Sequence, residues 1–62
     1  MKKRYNYDYT SAIIAYEQGE LDDSEVLELF QYLVDSGLAW QLQGSYGRTA
    51  KVLIDAGEIS AS

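Results

Sequence analysis

A chain of 62 residues with neither cysteine nor histidine must hold itself together by packing alone. Disulfides are excluded, thiolate metal sites go with them, and the commonest zinc ligand and general base is absent. A domain of this size buries only about 60% of the surface its unfolded chain exposes. At roughly 0.05–0.15 kcal/mol per residue the whole fold is worth about 3–9 kcal/mol. Small scaffolds of this kind need a staple, and the supports left are aromatic packing or a partner subunit. The composition points to the first, with six Tyr, one Trp and one Phe. Large rings bury much area per residue.

Charge is placed unevenly. Lys2, Lys3 and Arg4 open the chain, but no Lys or Arg occurs from residue 5 to residue 47. Eight carboxylates fall in that stretch: Asp8, Glu17, Glu20, Asp22, Asp23, Glu25, Glu28 and Asp35. Beyond it Arg48 and Lys51 balance Asp55 and Glu58, and the net charge is −5. The acidity therefore belongs to the first two-thirds of the fold, which argues against nucleic-acid phosphates as a partner of that surface. No apolar run approaches the roughly 20 residues that span a bilayer. Met1-Lys2-Lys3-Arg4 looks like the start of a signal peptide, but polar Tyr5-Asn6-Tyr7-Asp8 follows in place of an apolar region. The expectation is a cytoplasmic protein with no membrane partner.

Hydrophobic periodicity predicts an all-α fold: a compact three-helix bundle, with helices over about 9–18, 22–36 and 45–56 and a packed connector at 38–44. Proline is absent, so glycine supplies the breaks. In the first segment Asp8 or Thr10 can cap the helix, Tyr9, Ile13 and Tyr16 recur at helical spacing, and Gly19 ends it. In the second, Asp22 and Glu25 have the spacing of a reciprocal capping box, with Leu21 and Val26 as the staple pair. Val26, Leu29, Phe30, Leu33 and Val34 follow as a wide apolar stripe, Gly37 stops the helix, and Leu38 is placed to fold back on Leu33. Leu38, Trp40 and Leu42 alternate in the connector, which suits an extended piece or a single helical turn, with Trp40 expected over the junction of helices 1 and 2. Ala50, Leu53 and Ile54 form the inner face of the third helix, Val52 its edge, and Ile59 packs back after Gly57. One domain covers residues 1–62, with fraying expected at 1–6 and 60–62.

The run Gly19-Glu20-Leu21-Asp22-Asp23, then Leu29-Phe30-Gln31-Tyr32-Leu33-Val34-Asp35-Ser36-Gly37-Leu38 continuing through Ala39-Trp40-Gln41-Leu42-Gln43-Gly44-Ser45-Tyr46-Gly47-Arg48-Thr49-Ala50, resembles a family of very small uncharacterised proteins of bacteriophages and environmental viruses. The most specific part is Gly37 to Ala50. No activity or catalytic residue comes with the resemblance. It implies a phage accessory protein of the kind that binds and redirects a host protein.

Candidate chemistry is sparse. Asp22, Asp23 and Glu25 sit where capping and the helix dipole favour acids in any case, and calcium-loop spacing is missing. Gly44-Ser45-Tyr46-Gly47-Arg48-Thr49 lacks the Gly-Lys-Ser/Thr ending of a phosphate loop and reads as a tight turn with a close helix approach. A helix-turn-helix reading would leave only Arg48 and Lys51 on the recognition helix, so direct nucleic-acid binding is disfavoured. No activated nucleophile has a partner, and so small a domain leaves little volume for a pocket of the 300 Å3 class that buries a substrate. The expectation is a protein with no catalytic activity, no cofactor and no metal. Six tyrosines and a tryptophan cannot all hide their polar tips, and Tyr, Trp and Arg are enriched at binding hot spots. The residues expected to meet a protein partner, host or viral, are Tyr5, Tyr7, Tyr16, Glu17, Glu20, Asp23, Tyr32, Trp40, Tyr46 and Arg48. Two alternatives stand beside this reading: a self-associating homodimer, and an acidic mimic of nucleic acid.

Overall fold

A computed structural model describes residues 7–61, and within them the chain forms three α-helices and one short 3-10 turn with no strand. The helices are α1 (Tyr9–Glu17), α2 (Asp23–Ser36) and α3 (Gly44–Asp55), and the 3-10 turn is Leu38–Trp40. The all-α, three-helix architecture expected from periodicity is the architecture observed, with boundaries shifted by one residue at most.

Local chemistry explains where each helix starts. Asp8 caps α1, accepting hydrogen bonds from the Ser11 N–H at 3.1 Å and the Ser11 hydroxyl at 2.7 Å. The first of these bonds contributes most to holding the Asp8 carboxyl below its ordinary value of 3.8. At α2 the reciprocal box is complete: the Glu25 N–H donates to Asp22 Oδ1 at 2.8 Å and the Asp22 N–H donates to Glu25 Oε1 at 3.0 Å. Two orphan donors are thereby satisfied at the start of the helix that carries most of the core. No side chain caps α3, which begins at Gly44 after an extended Gln43.

The ends follow two patterns. After α1, the Gly19 N–H donates to the Tyr16 carbonyl at 3.0 Å and the Glu20 N–H to the Ala15 carbonyl at 2.9 Å. After α3, Gly57 and Glu58 make the same pair with Ile54 and Leu53, at 3.0 and 2.9 Å. Both are Schellman ends, and both glycines take the left-handed φ (74° and 77°) that a Cβ would penalise. Gly37, at φ 83°, is also left-handed and stops α2, but without the paired hydrogen bonds of the other two ends. The Leu38 N–H donates to the Ser36 hydroxyl at 3.4 Å, its side chain packs against the core that holds Leu33, and the chain runs straight into the 3-10 turn. There the Gln41 N–H donates to the Leu38 carbonyl at 2.9 Å, so the connector is a helical turn and not an extended piece.

Packing centres on α2. Leu29, Phe30 and Leu33 have no exposed surface, and Val34 completes the buried strip. Ala39 from the 3-10 turn, Tyr46 and Ala50 from α3, and Ile59 close over it. Helix α2 touches both other helices and the turn, whereas no Cα of α1 comes within 8 Å of one in α3. The C-terminal return is pinned by Gln31, whose side-chain amide donates to the Ser60 carbonyl at 3.0 Å while its oxygen accepts the Ser60 N–H at 2.8 Å. Trp40 departs from its expected place. It is 56% exposed, and a Cβ built on Gly47 would lie 3.6 Å from its ring, so it lies along the first turns of α3 and not over the α1–α2 junction. The turn lies close against α3 here, since that Cβ would stand 3.4 Å from the Ala39 carbonyl oxygen, in van der Waals contact.

Two outcomes follow. Phe30→Ala costs about 3–5 kcal/mol, as for other buried aromatic truncations. That is comparable to the roughly 3–9 kcal/mol available in total, so far-ultraviolet circular dichroism at 25 °C will find a substantially unfolded chain. Helix α1, which contains no buried residue, will exchange its amide hydrogens faster than α2 by native-state exchange, because its opening exposes the least apolar surface.

Candidate partner-binding surface

The residues expected at a partner surface do not form one patch. Tyr5 lies outside the described residues. Tyr7 and Tyr9 both pack on Tyr32 of α2, with ring centroids 5.0 and 5.5 Å apart, and all three are half-buried. This cluster anchors the entry to α1 and leaves ring edges in solvent. Tyr16 turns inward, meeting Phe30 edge-on at 5.3 Å and Tyr46 at 5.9 Å.

Tyr46 is a correction to the sequence reading. It is only 6% exposed and its ring stacks on Phe30 at 6.0 Å, so it belongs to the core and is closed to a partner. Its hydroxyl solves the polar-tip problem internally by donating to Glu17 Oε2 at 2.5 Å. Burial pushes the Tyr46 hydroxyl up from its ordinary 10.0 to about 12, and the hydrogen bond to Glu17 and the charge of that carboxylate push in the same direction. This bond spans 29 residues of sequence and joins the last residue of α1 to α3, two helices whose backbones do not meet. Glu17 thus has a structural task as well as an exposed flank.

Glu17, Glu20, Asp23, Trp40 and Arg48 are the expected residues that are exposed. Arg48 reaches back over its own helix start, where a Cβ on Gly44 would lie 3.4 Å from its Nη1. Among the described residues the one ion pair is Lys51–Asp55 at 3.3 Å, on the open face of α3. Ile14, Trp40 and Val52 are the large apolar side chains left more than half exposed.

Sequence reasoning missed a concave feature. An open groove of about 350 Å3 lies between the start of α2 and the end of α3, lined by Asp23, Val26, Leu27, Leu53, Ala56 and Glu58. The groove is open-sided and not a closed cavity, so it is no counter-example to the expectation of little room for a pocket that buries a substrate. Asp23 was the one lining residue expected at the surface, with Val26 and Leu53 assigned to the interior. Leu27 was the available signal. It widens the α2 stripe past what Val26 to Val34 require, and a residue so placed lines an edge. Glu58 arrives only through the left-handed turn at Gly57, which pattern reading could end but not aim.

The family can be named from the match to its model, which spans residues 7–62 and so takes in all three helices and the groove. The chain belongs to the family described as a domain of unknown function, DUF7417. Searches of the curated proteins and of the solved structures return no match. This DUF7417 domain has no group of three or more Asp or Glu side chains placed to hold a metal ion among its described residues. None of its described helices is long and apolar enough to cross a membrane.

The Tyr46–Glu17 bond makes a pH prediction. A tyrosine whose proton is held more tightly in the fold than in the unfolded chain contributes stability that is complete below about pH 10 and is lost as pH rises through about 12. The full gap corresponds to roughly 2–3 kcal/mol. Alkaline urea titrations will therefore find wild-type stability falling faster above pH 10 than that of Tyr46→Phe. At neutral pH a cycle of Tyr46→Phe, Glu17→Ala and the double variant will give a coupling of about 1 kcal/mol, and additive effects would contradict the bond.

Proposed function

We propose that this domain is a small protein-binding module without catalytic activity, encoded by a bacteriophage and acting in the cytoplasm of the host on a host or viral protein. The observation that carries the reading is the separation of charge from packing. Every one of the eight carboxylates between residues 8 and 35 is on an exposed residue, in a stretch of sequence without a single Lys or Arg from 5 to 47. A surface so biased favours partners with a positive patch and steers their approach. Exposed Trp40 offers an aromatic anchor of the type that dominates binding energy. Phage origin rests on the resemblance carried by Gly37 to Ala50.

Affinity capture of the full chain from bacterial lysate, run at two salt concentrations, tests it. The expected result is a specific protein retained at low salt, weakened at high salt by screening and lost with Trp40→Ala. Retention of nothing above background at either salt concentration overturns the reading. Exposure of Ile14, Trp40 and Val52 at 53%, 56% and 63% favours a second reading, self-association into a homodimer. Sedimentation of a monomer at high micromolar concentration removes it.

A further inference from the structure

The groove between α2 and α3 differs from the rest of the acidic surface in having a floor. Val26 and Leu27 from α2, Leu53 from α3 and Ala56 at its C-terminal cap supply that floor, and Asp23 and Glu58 are the charged residues that line it. Its volume of about 350 Å3 falls at the lower end of the roughly 300–1,000 Å3 of small-molecule sites. An open side and carboxylates as the only polar side chains suit an apolar wedge entering from outside better than an enclosed metabolite. Neither the Asp23 nor the Glu58 carboxylate has a hydrogen-bond or ion-pair partner among the described residues. No cationic side chain lines the groove; Lys51, on the same helix, is engaged by Asp55.

We propose that this groove takes a cationic amphipathic helix of a partner protein, with apolar side chains against Val26, Leu27, Leu53 and Ala56 and flanking Lys or Arg against Asp23 and Glu58. The proposal rests on the protein-binding reading above and gives it an address. A groove between two helices is the common seat for an apolar helix face, read through anchors at i, i+3, i+4 and i+7. The apolar contact supplies the affinity. The two carboxylates supply sign selection, since a helix flanked by acids would meet like charge at both.

The test uses the full chain and two synthetic peptides of one pattern, leucine at i, i+3, i+4 and i+7 with either lysine or glutamate elsewhere. The expected result is binding of the lysine peptide alone, with amide shifts concentrated at Val26, Leu27, Leu53 and Ala56. Asp23→Lys and Glu58→Lys will each weaken it by roughly 2- to 5-fold at low ionic strength. Asp35→Lys changes net charge equally but sits twelve residues, about 18 Å of helix, from Asp23, and will leave affinity within about twofold. Ala56→Arg, at an exposed position, will abolish binding by laying a cation of the chain's own across the floor, with circular dichroism unchanged. Shifts spread over the whole acidic surface, or equal loss from Asp35→Lys, overturn the proposal in favour of nonspecific attraction. Concentration-dependent shifts at the groove without peptide overturn it in favour of a second copy. A lysate partner that is retained by Asp23→Lys/Glu58→Lys as strongly as by the wild type would sink the groove assignment and leave the protein-binding reading standing.

Discussion

Phe30 is fully enclosed and meets a ring from each of the other two helices, Tyr16 at 5.3 Å and Tyr46 at 6.0 Å. Everything else in the domain is arranged around that three-ring contact. With no disulfide or metal available, a chain this short needs residues that bury much area each and lock in few rotamers, and aromatic rings do both. Two of the rings are tyrosines, however, and a tyrosine buried to its hydroxyl requires an acceptor. Glu17 provides it from the last turn of α1. The interaction that closes the core is therefore also the one that ties α1 to α3, and the polar cost of burying Tyr46 is offset by a bond between two elements that otherwise lack backbone contact.

Glycine directs the chain around this centre. Gly19, Gly37 and Gly57 each adopt a left-handed conformation, but they produce two kinds of exit. The Schellman ends at Gly19 and Gly57 turn the chain sharply, and the second brings Glu58 beside the floor of the groove and Ile59 into the core. At Gly37 the Ser36 hydroxyl takes the N–H of Leu38, so the chain coils once more and delivers Ala39 inward and Trp40 outward. That turn lies against α3 at Gly47, close enough to touch a Cβ there.

The outcome is a division of labour between faces. Among the described residues the interior holds no charged side chain, and no buried side-chain polar atom lacks a partner. All the Asp and Glu residues are left on exposed positions. Such a surface gives long-range attraction without specificity, because exposed charges act through solvent and are screened by salt. Specificity requires shape, and shape is found where the apolar strip of α2 runs past the edge of its packing against α3. The groove is thus a by-product of core geometry placed among acids that capping and solubility would favour anyway.

How far the sequence reached can be judged residue by residue. Asp22 with Glu25, and glycines at 19, 37 and 57, act over three or four neighbours, so the start of α2 and the ends of all three helices were legible. The strip Leu29, Phe30, Leu33, Val34 was legible for the same reason, because helical periodicity alone puts it on one face. Tyr46 and Trp40 were not. Both are aromatic, both lie near glycines, and nothing local says that one enters the core while the other lies on the surface. That choice depends on which ring can stack on Phe30 and find Glu17, a residue 29 positions away. The groove was hidden likewise, since its six residues come from two helices and a turn, and each alone reads as core edge or solvated acid. The sequence by itself determined the helices, their limits and the segregation of charge, because those follow from short-range backbone chemistry and periodicity. Only the tertiary structure decided which aromatics are interior and where a concave surface opens, because those depend on contacts between residues far apart in the chain.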